Sequence, residues 1–388
     1  MTIYRDRLAA AIEYQHLRVT VLREGGHIAE ILDKETGINP LWTPPWRTSE
    51  PSAFGPDAYA EYGHDAESKL LAGITGHNLC LDIFGGPSEE EAAAGLTVHG
   101  EASVAAYEME EAADALTLRA RYPMAQLAFQ RRIELRGRTV RIRERVENLT
   151  ACDRPIAWTQ HVTLGPPFLE KGVTQFRVSA TRSKVSESDF GVHDRLRTAA
   201  EFDWPEAPLR DGGVEDLRVL TGAASSCAFT THLMDPAREH AFFAAFAPAA
   251  RLVFGYVWKQ ADFPWLGIWE ENHSRTHAPW NGRTLTRGME FGVSPMPESR
   301  RAMVDRGKLF GVPAYRWLPA RSRLEVEYCA VVAHAGAIPE VLDANLAERQ
   351  AAPQYWFEWH SSTPPQSPNR SPECKRCAAF RSHSVRAR

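Results

Sequence analysis

Between Ala115 and Val162 apolar and polar residues alternate almost without interruption. The segments ALTLRARYP, LAFQRRIELRG, TVRIRERVENLT and PIAWTQHVTL follow one another with short turns between them. A period of two sends successive side chains to opposite faces of a strand, one face buried and one polar. The reversal at Arg136-Gly137-Arg138 is tight, so the run predicts an antiparallel meander. The same alternation appears in HLRVTVLREGGHIAEIL, from His16 to Leu32, on both sides of Gly25-Gly26, and predicts a hairpin there. It returns at 251–258 and 323–334. Helical periodicity is sparse, with short helices expected at Leu8–Gln15, Glu89–Ala94 and Pro339–Arg349. The proline-punctuated Asn39–Trp46 and the Gly-, Pro-, Tyr- and His-rich stretch 48–90 read as irregular. Together these patterns predict an all-β chain: a large antiparallel β-sandwich with few short helices.

Composition narrows the class. The 388 residues are 44% hydrophobic and 24% charged, as in globular proteins. A chain of this length buries roughly three quarters of its unfolded surface and needs no disulfide or metal to hold it. Residues 1–350 are expected to form one sandwich domain. From about Gln350 the text turns rich in Ser, Pro and Arg, so 351–388 is expected to be a disordered tail. A formal net charge of −4 argues against nucleic-acid binding, which needs clustered Lys and Arg. Cys80, Cys152, Cys227 and Cys329 stand alone, and the CxxC at Cys374 and Cys377 has no second pair, which suits reduced thiols in a cytoplasmic protein. The N-terminus reads polar from the start, with no secretory signal, and no run of about eighteen apolar residues predicts a membrane span. The sequence carries no signal of oligomeric state.

Three segments carry candidate chemistry. They are Leu96-Thr-Val-His-Gly-Glu101, Trp158-Thr-Gln-His-Val-Thr-Leu164, and Trp269-Glu-Glu-Asn272 followed by Arg287-Gly-Met-Glu-Phe-Gly292. His99 reads as the entry to a strand and His161 as lying near a strand end. Alternation places Thr159 and His161 on one face, and Trp158, Gln160 and Val162 on the other. Glu290 sits between Met289 and Phe291; a Glu in such alternation ordinarily faces solvent, but facing an interior its pKa would rise and make it a candidate base. Of the 11 Trp, Trp258, Trp265, Trp269 and Trp280 cluster around Glu270, Glu271, Asn272 and His273. Aromatic faces beside carboxylates and amides suit sugar rings and their hydroxyls, and Pro- and Gly-rich spacing suggests that several of these Trp lie on loops. His273 and His277 are four apart, but Pro279 suggests a loop, and no metal site is expected. No GxGxxG before a helix, GxxxxGK[ST] or HExxH occurs, so no cofactor is expected.

The order of a His-Gly segment, a strand His and a Glu in a late strand resembles the aldose 1-epimerase (galactose mutarotase-like) family. RERVENLTACDRPIAWTQHVTLGPPFLE resembles the family stretch that ends in the acid His, and IWEEN with PWNGRTLTRGMEFG resembles its late strand with a Gly-x-Glu signature. The likeness spans about residues 10–340. It implies a many-stranded sandwich that holds a small-molecule sugar in a groove, with His161 as general acid, Glu290 as general base and His99 orienting the substrate. The family's Gly-Arg-x-x-Asn-Arg element is replaced here by Leu81-Asp-Ile-Phe-Gly-Gly-Pro-Ser88, which leaves the sugar-contacting arginine to Arg131 or Arg132. Trp158, Trp269, Glu270, Asn272 and Trp280 complete the expected binding set. The implied reaction interconverts sugar anomers by opening the hemiacetal: one group takes the C1 hydroxyl proton and another protonates the ring oxygen. The alternative is a non-catalytic carbohydrate-binding protein on the same scaffold.

Overall fold

The computed structural model of the chain describes residues 1–343. Two antiparallel sheets dominate it. The larger has twelve strands. In spatial order its path runs Thr2–Tyr4, Arg7–Glu13, Leu17–Leu22, Ile28–Asp33, His77–Asp82, Arg154–Leu164, Leu285–Gly292, Trp265–Asn272, Ser226–Met234, Ala180–Val185 and Glu201–Asp203, while Arg316–Leu318 also pairs with Arg154–Leu164. The smaller has eight strands, ordered Gln175–Val178, His240–Ala247, Leu252–Lys259, Arg323–His334, Thr139–Asn148, Leu127–Arg136, Ala115–Tyr122 and Glu108–Glu111. Helices are few and short, such as Ser68–Gly73, Glu89–Ala93 and Arg300–Arg306. This is the antiparallel sandwich that the alternation predicts. No helix among the described residues is long and apolar enough to cross a membrane.

The strand text behaves differently in the two sheets. Leu127–Arg136 alternates cleanly: Leu127, Phe129, Arg131, Ile133 and Leu135 turn inward, and Arg132 and Glu134 turn out. Its outer face meets water. In the large sheet Arg154–Leu164, Trp265–Asn272 and Ser226–Met234 are buried along nearly their whole length. One face packs on the small sheet through Ile156, Trp158, Val162, Leu266, Ile268, Met289 and Phe291. The opposite face lies under a second apolar layer. Trp42, Trp46, Leu70, Leu71 and Ile74 from the irregular stretch cover Phe229, Trp265 and Trp269 there. A strand covered on both sides need not alternate.

Several local expectations are corrected. Residues Arg7–Glu13 form a strand, not a helix, paired with Leu17–Leu22; the pairing and burial of Ala9, Ala10 and Ile12 override the weak helical preference of the alanines. The four-strand meander is a meander of three. Ala115–Tyr122, Leu127–Arg136 and Thr139–Asn148 stay in the small sheet, and Arg154–Leu164 crosses to the large one. Trp258, Trp265 and Trp269 stand on strands, and only Trp280 of that group is on a loop. Residues 339–343 are not helical; the rest of the expected helix, the 351–388 segment and Cys374 and Cys377 lie outside the described residues.

Candidate functional site

The far face of the large sheet is paved in rows by strand pairing. Residues directly opposite in neighbouring strands share a face. Asn78 pairs with His161, His161 with Glu290, Glu290 with Gly267, and Gly267 with Thr231, giving one row across five strands. The next row runs Thr163, Gly288, Trp269, Phe229. The glycines leave a hollow in this paving. A Cβ at Gly288 would stand 2.4 Å from Glu290 Oε1, and one at Gly267 would stand 3.4 Å from Glu290 Oε2 and 2.9 Å from the Phe229 ring. The Gly-x-Glu signature thus has a steric reading: Gly288 and Glu290 share a face, and a Cβ at 288 would push the carboxylate from its present place.

Glu290 and His161 meet in this hollow, with Nε2 of the imidazole 3.0 Å from Oε1 of the carboxyl. Oε1 is buried and has no hydrogen bond of good geometry, so the two groups are in contact without being aligned. His161 Nδ1 shares a hydrogen bond of 3.0 Å with the Thr163 hydroxyl, which fixes the ring and turns Nε2 toward Glu290. The His99 ring lies 4.8 Å from that of His161, centre to centre. His99 is not at the entry to a strand. It sits in the loop after Glu89–Ala93 with φ at 67°, a conformation uncommon for a non-glycine residue and found disproportionately at functional sites. Two backbone bonds hold it there, His99 N to Gly85 O and Leu81 N to His99 O. The three residues line one cavity of about 190 Å³, together with Glu67, Trp269, Arg275 and Trp280.

Burial sets the protonation of the pair. It pushes the Glu290 carboxyl well above its usual range and the His161 imidazole down to about 4. It also lowers His99, with the neighbouring His161 and His27 adding to the effect. Burial thus disfavours the charged form of each member of the pair. The His161 imidazole is therefore neutral at neutral pH in the free protein. The charge-separated form lies one proton transfer away across 3.0 Å.

The expected binding residues divide. Trp269 and Trp280 line the cavity, and the Trp269 ring stands edge-on to His161 at 5.9 Å. Arg131, Arg132, Trp158, Glu270 and Asn272 do not line it. Arg131 lies between the sheets, where its Nε donates to Glu144 at 2.7 Å. Trp158 donates to the same carboxylate at 2.8 Å. Arg132 is on the outer face of the small sheet, paired with Glu134 at 2.7 Å. Glu270 points away from the hollow toward Arg195 and Arg287. Asn272, at the strand end, donates to Ala223 O and Ser226 Oγ. Alternation turns Trp158, Glu270 and Asn272 to the face opposite His161 and Trp269, and Arg131 and Arg132 belong to the small sheet, which supplies nothing to this cavity.

Residues that sequence reasoning missed take their place. Arg275 is the arginine of the cavity, its guanidinium 4.7 Å from the Trp280 ring centre and 5.6 Å from that of Trp269. It reaches Glu67 at 3.3 Å and Glu271 at 3.6 Å. Its only sequence signal is its place beside the Trp cluster. Asn78 is fully buried in the His161 row, with Nδ2 lacking a partner. Among the described residues no group of three or more His, Cys, Asp or Glu converges as a metal site would require. Larger grooves of about 440 and 470 Å³ lie elsewhere, lined by charged surface residues such as Arg119 and Glu147, or Arg143 and Glu327, without a buried acid–base pair.

No protein-family profile matches the chain, and no curated protein matches it. Solved structures do. A candidate aldose 1-epimerase from Klebsiella pneumoniae superimposes with a TM-score of 0.59 at 14% identity, over 82% of this chain and 77% of that one. A galactose mutarotase-like protein from Clostridium acetobutylicum gives 0.55 at 13% identity, over 86% and 97%. A galactose mutarotase related enzyme from Lactobacillus acidophilus gives 0.53 at 12% identity, over 86% and 100%. At such identities the likeness is one of architecture, and it establishes that this chain has the galactose mutarotase-like β-sandwich fold.

Proposed function

We propose that the cavity binds a monosaccharide at its anomeric centre and interconverts the anomers by acid–base ring opening. The observation that carries the reading is the buried Glu290–His161 contact of 3.0 Å at the cavity wall. The hydroxyl oxygen O1 and the ring oxygen O5 are bonded to the same carbon, so two groups this close reach both. In the opening step the Glu290 carboxylate takes the O1 proton while the His161 imidazolium gives a proton to O5. The C1–O5 bond breaks and the C1–O1 double bond forms. The pair is left as carboxylic acid and neutral imidazole, the state that burial favours. After rotation about C1–C2 the same transfers run in reverse and close the ring on the other face. Hydrogen bonds from sugar hydroxyls to the carboxylate favour its charged form and bring the pair to the start of the cycle. Trp269 and Trp280 offer flat apolar faces to the ring.

Each positioned proton transfer contributes typically 10²–10⁴-fold. Glu290→Gln and His161→Ala are each expected to lower kcat by that order, read by polarimetry or by NMR exchange between anomers. An unchanged rate in Glu290→Gln on every sugar turned over by the parent sinks the proposal. Sugar binding by calorimetry with no acceleration in the parent leaves the carbohydrate-binding reading in its place.

A further inference from the structure

Resting on that reading of the site, we infer that the substrate is a neutral deoxysugar: a monosaccharide in which at least one hydroxyl of an ordinary hexose is replaced by hydrogen. The cavity walls are the reason. Phe190 stacks on Phe229 at 5.2 Å with 19° between the planes, and Phe84 meets Phe229 edge-on at 6.3 Å. Leu70, Ile74 and Val98 extend this apolar lining. The wall begins where the reacting pair ends. The same missing Cβ at Gly267 that would touch Glu290 would also touch the Phe229 ring, so that ring stands beside the carboxyl. A substituent next to the anomeric centre is thereby set against hydrocarbon, and a hydroxyl placed there loses water and finds no partner.

The polar side chains beyond the reacting pair are few. Glu67, His99, Arg275 and Trp280 supply them, and the buried Nε1 of Trp280 has no partner of its own. Arg275 is the one Lys or Arg in the lining, and it is already engaged by Glu67 and Glu271 and by two Trp faces. A phosphate carries about −1.5 to −2 charge at neutral pH. It would compete with two carboxylates for one guanidinium and bring its charge up to Glu67. A sugar phosphate is therefore excluded on charge, and a fully hydroxylated hexose is disfavoured on desolvation. A cavity of about 190 Å³ also favours one small ring over an oligosaccharide.

The test measures anomer exchange by NMR for a parent hexose, its 2-deoxy and 6-deoxy forms and its 6-phosphate, with the whole protein. At least one deoxy form is expected to exceed the parent hexose by roughly 10- to 100-fold in kcat/KM, the range by which a hydrophobic pocket distinguishes an added hydroxyl. The phosphate is expected to show no acceleration. Equal or better turnover of the parent hexose or the phosphate overturns the inference. Phe190 is only half-buried, so Phe190→Asn is expected to fold and to bring the deoxy-to-parent ratio toward one; an unchanged ratio overturns the part assigned to the wall. If no sugar is accelerated, the ring-opening reading falls. Calorimetry on the same four sugars then decides the substrate class separately: tighter binding of a deoxy form supports it, and equal or tighter binding of the parent, or no binding at all, overturns it.

Discussion

Glu290 is held at high energy by its surroundings. Its Oε1 is buried without a well-formed hydrogen bond, and burial alone raises the carboxyl. A carboxyl raised by folding contributes stability below its unfolded pKa, and that contribution is lost as pH rises. Glu290→Gln removes this cost. Its denaturation midpoint is therefore expected to gain on the parent as pH rises above the ordinary carboxylate value of 4.5, while activity falls. His161 governs the loss of activity at low pH. In the proposed reaction the pair works with one proton in total, and a second arrives on His161 near its lowered value of about 4. The acid limb of kcat/KM is expected near pH 4 and not near the unperturbed 6.5. A limb near 6.5 counts against the buried pair as the reacting groups. Gly288→Ala tests the hollow itself. Its Cβ would lie 2.4 Å from Glu290 Oε1, so the carboxyl must shift, and a misplacement on the order of 1 Å costs about 10²-fold in rate.

The strand Arg154–Leu164 links two chemistries through its two faces. His161 and Thr163 face the cavity, while Trp158 and Gln160 face a buried polar network between the sheets. There Glu144 accepts from Arg131 at 2.7 Å, Tyr328 at 2.7 Å, Trp158 at 2.8 Å and Gln160 at 2.7 Å. Gln160 Oε1 in turn lies 2.8 Å from the same Tyr328 hydroxyl, whose single proton the two oxygens share, and 3.0 Å from His77 Nε2. The Arg131–Glu144 charge pair lies within the small sheet, its bonds to Trp158 and Gln160 reach across to the large one, and a buried pair is costly to break on one side. Arg131→Met leaves Glu144 as a lone buried charge and is expected to destabilise by about 3–5 kcal/mol in chemical denaturation. The double variant with Glu144→Leu is expected to recover much of that loss. A small loss in the single variant would show that the network does not secure the sheets. The family resemblance left the sugar-contacting arginine to Arg131 or Arg132, and strand periodicity gives a face without saying what that face meets.

The whole molecule buries histidines in neutral form. Burial lowers His27 to about 3, His232 to about 3 and His161 to about 4, and His77 well below its usual value. A buried histidine of this kind stays uncharged when folded and takes up a proton when unfolded. The unfolded state thus binds more protons below about pH 6.5, and stability falls as pH drops from there toward 4. Each such histidine adds about 1.4 kcal/mol per pH unit to the slope. Thermal midpoints measured from pH 7 to 4.5 are expected to decline steeply, and a flat profile contradicts the buried neutral state.

Alternation at Ala115–Asn148 and at 323–334 made the small sheet legible, because its outer face meets water and the period of two survives in the text. The His-Gly segment, the strand His and the Gly-x-Glu signature were equally visible, and side-chain parity correctly separated His161 from Trp158. What the sequence could not carry was the second covering layer. Strands such as Trp265–Asn272 lie between two apolar layers, so no local pattern tells which face opens on a cavity. The partners of the Glu290 hollow come from segments far apart in the chain: Gly267, Gly288, His99 and Arg275 meet through strand pairing and loop packing. Local sequence determined the strands and the residue types fit for proton transfer. Only the tertiary structure, by burying Glu290 against His161, decided which of them share a cavity and which charged forms burial disfavours.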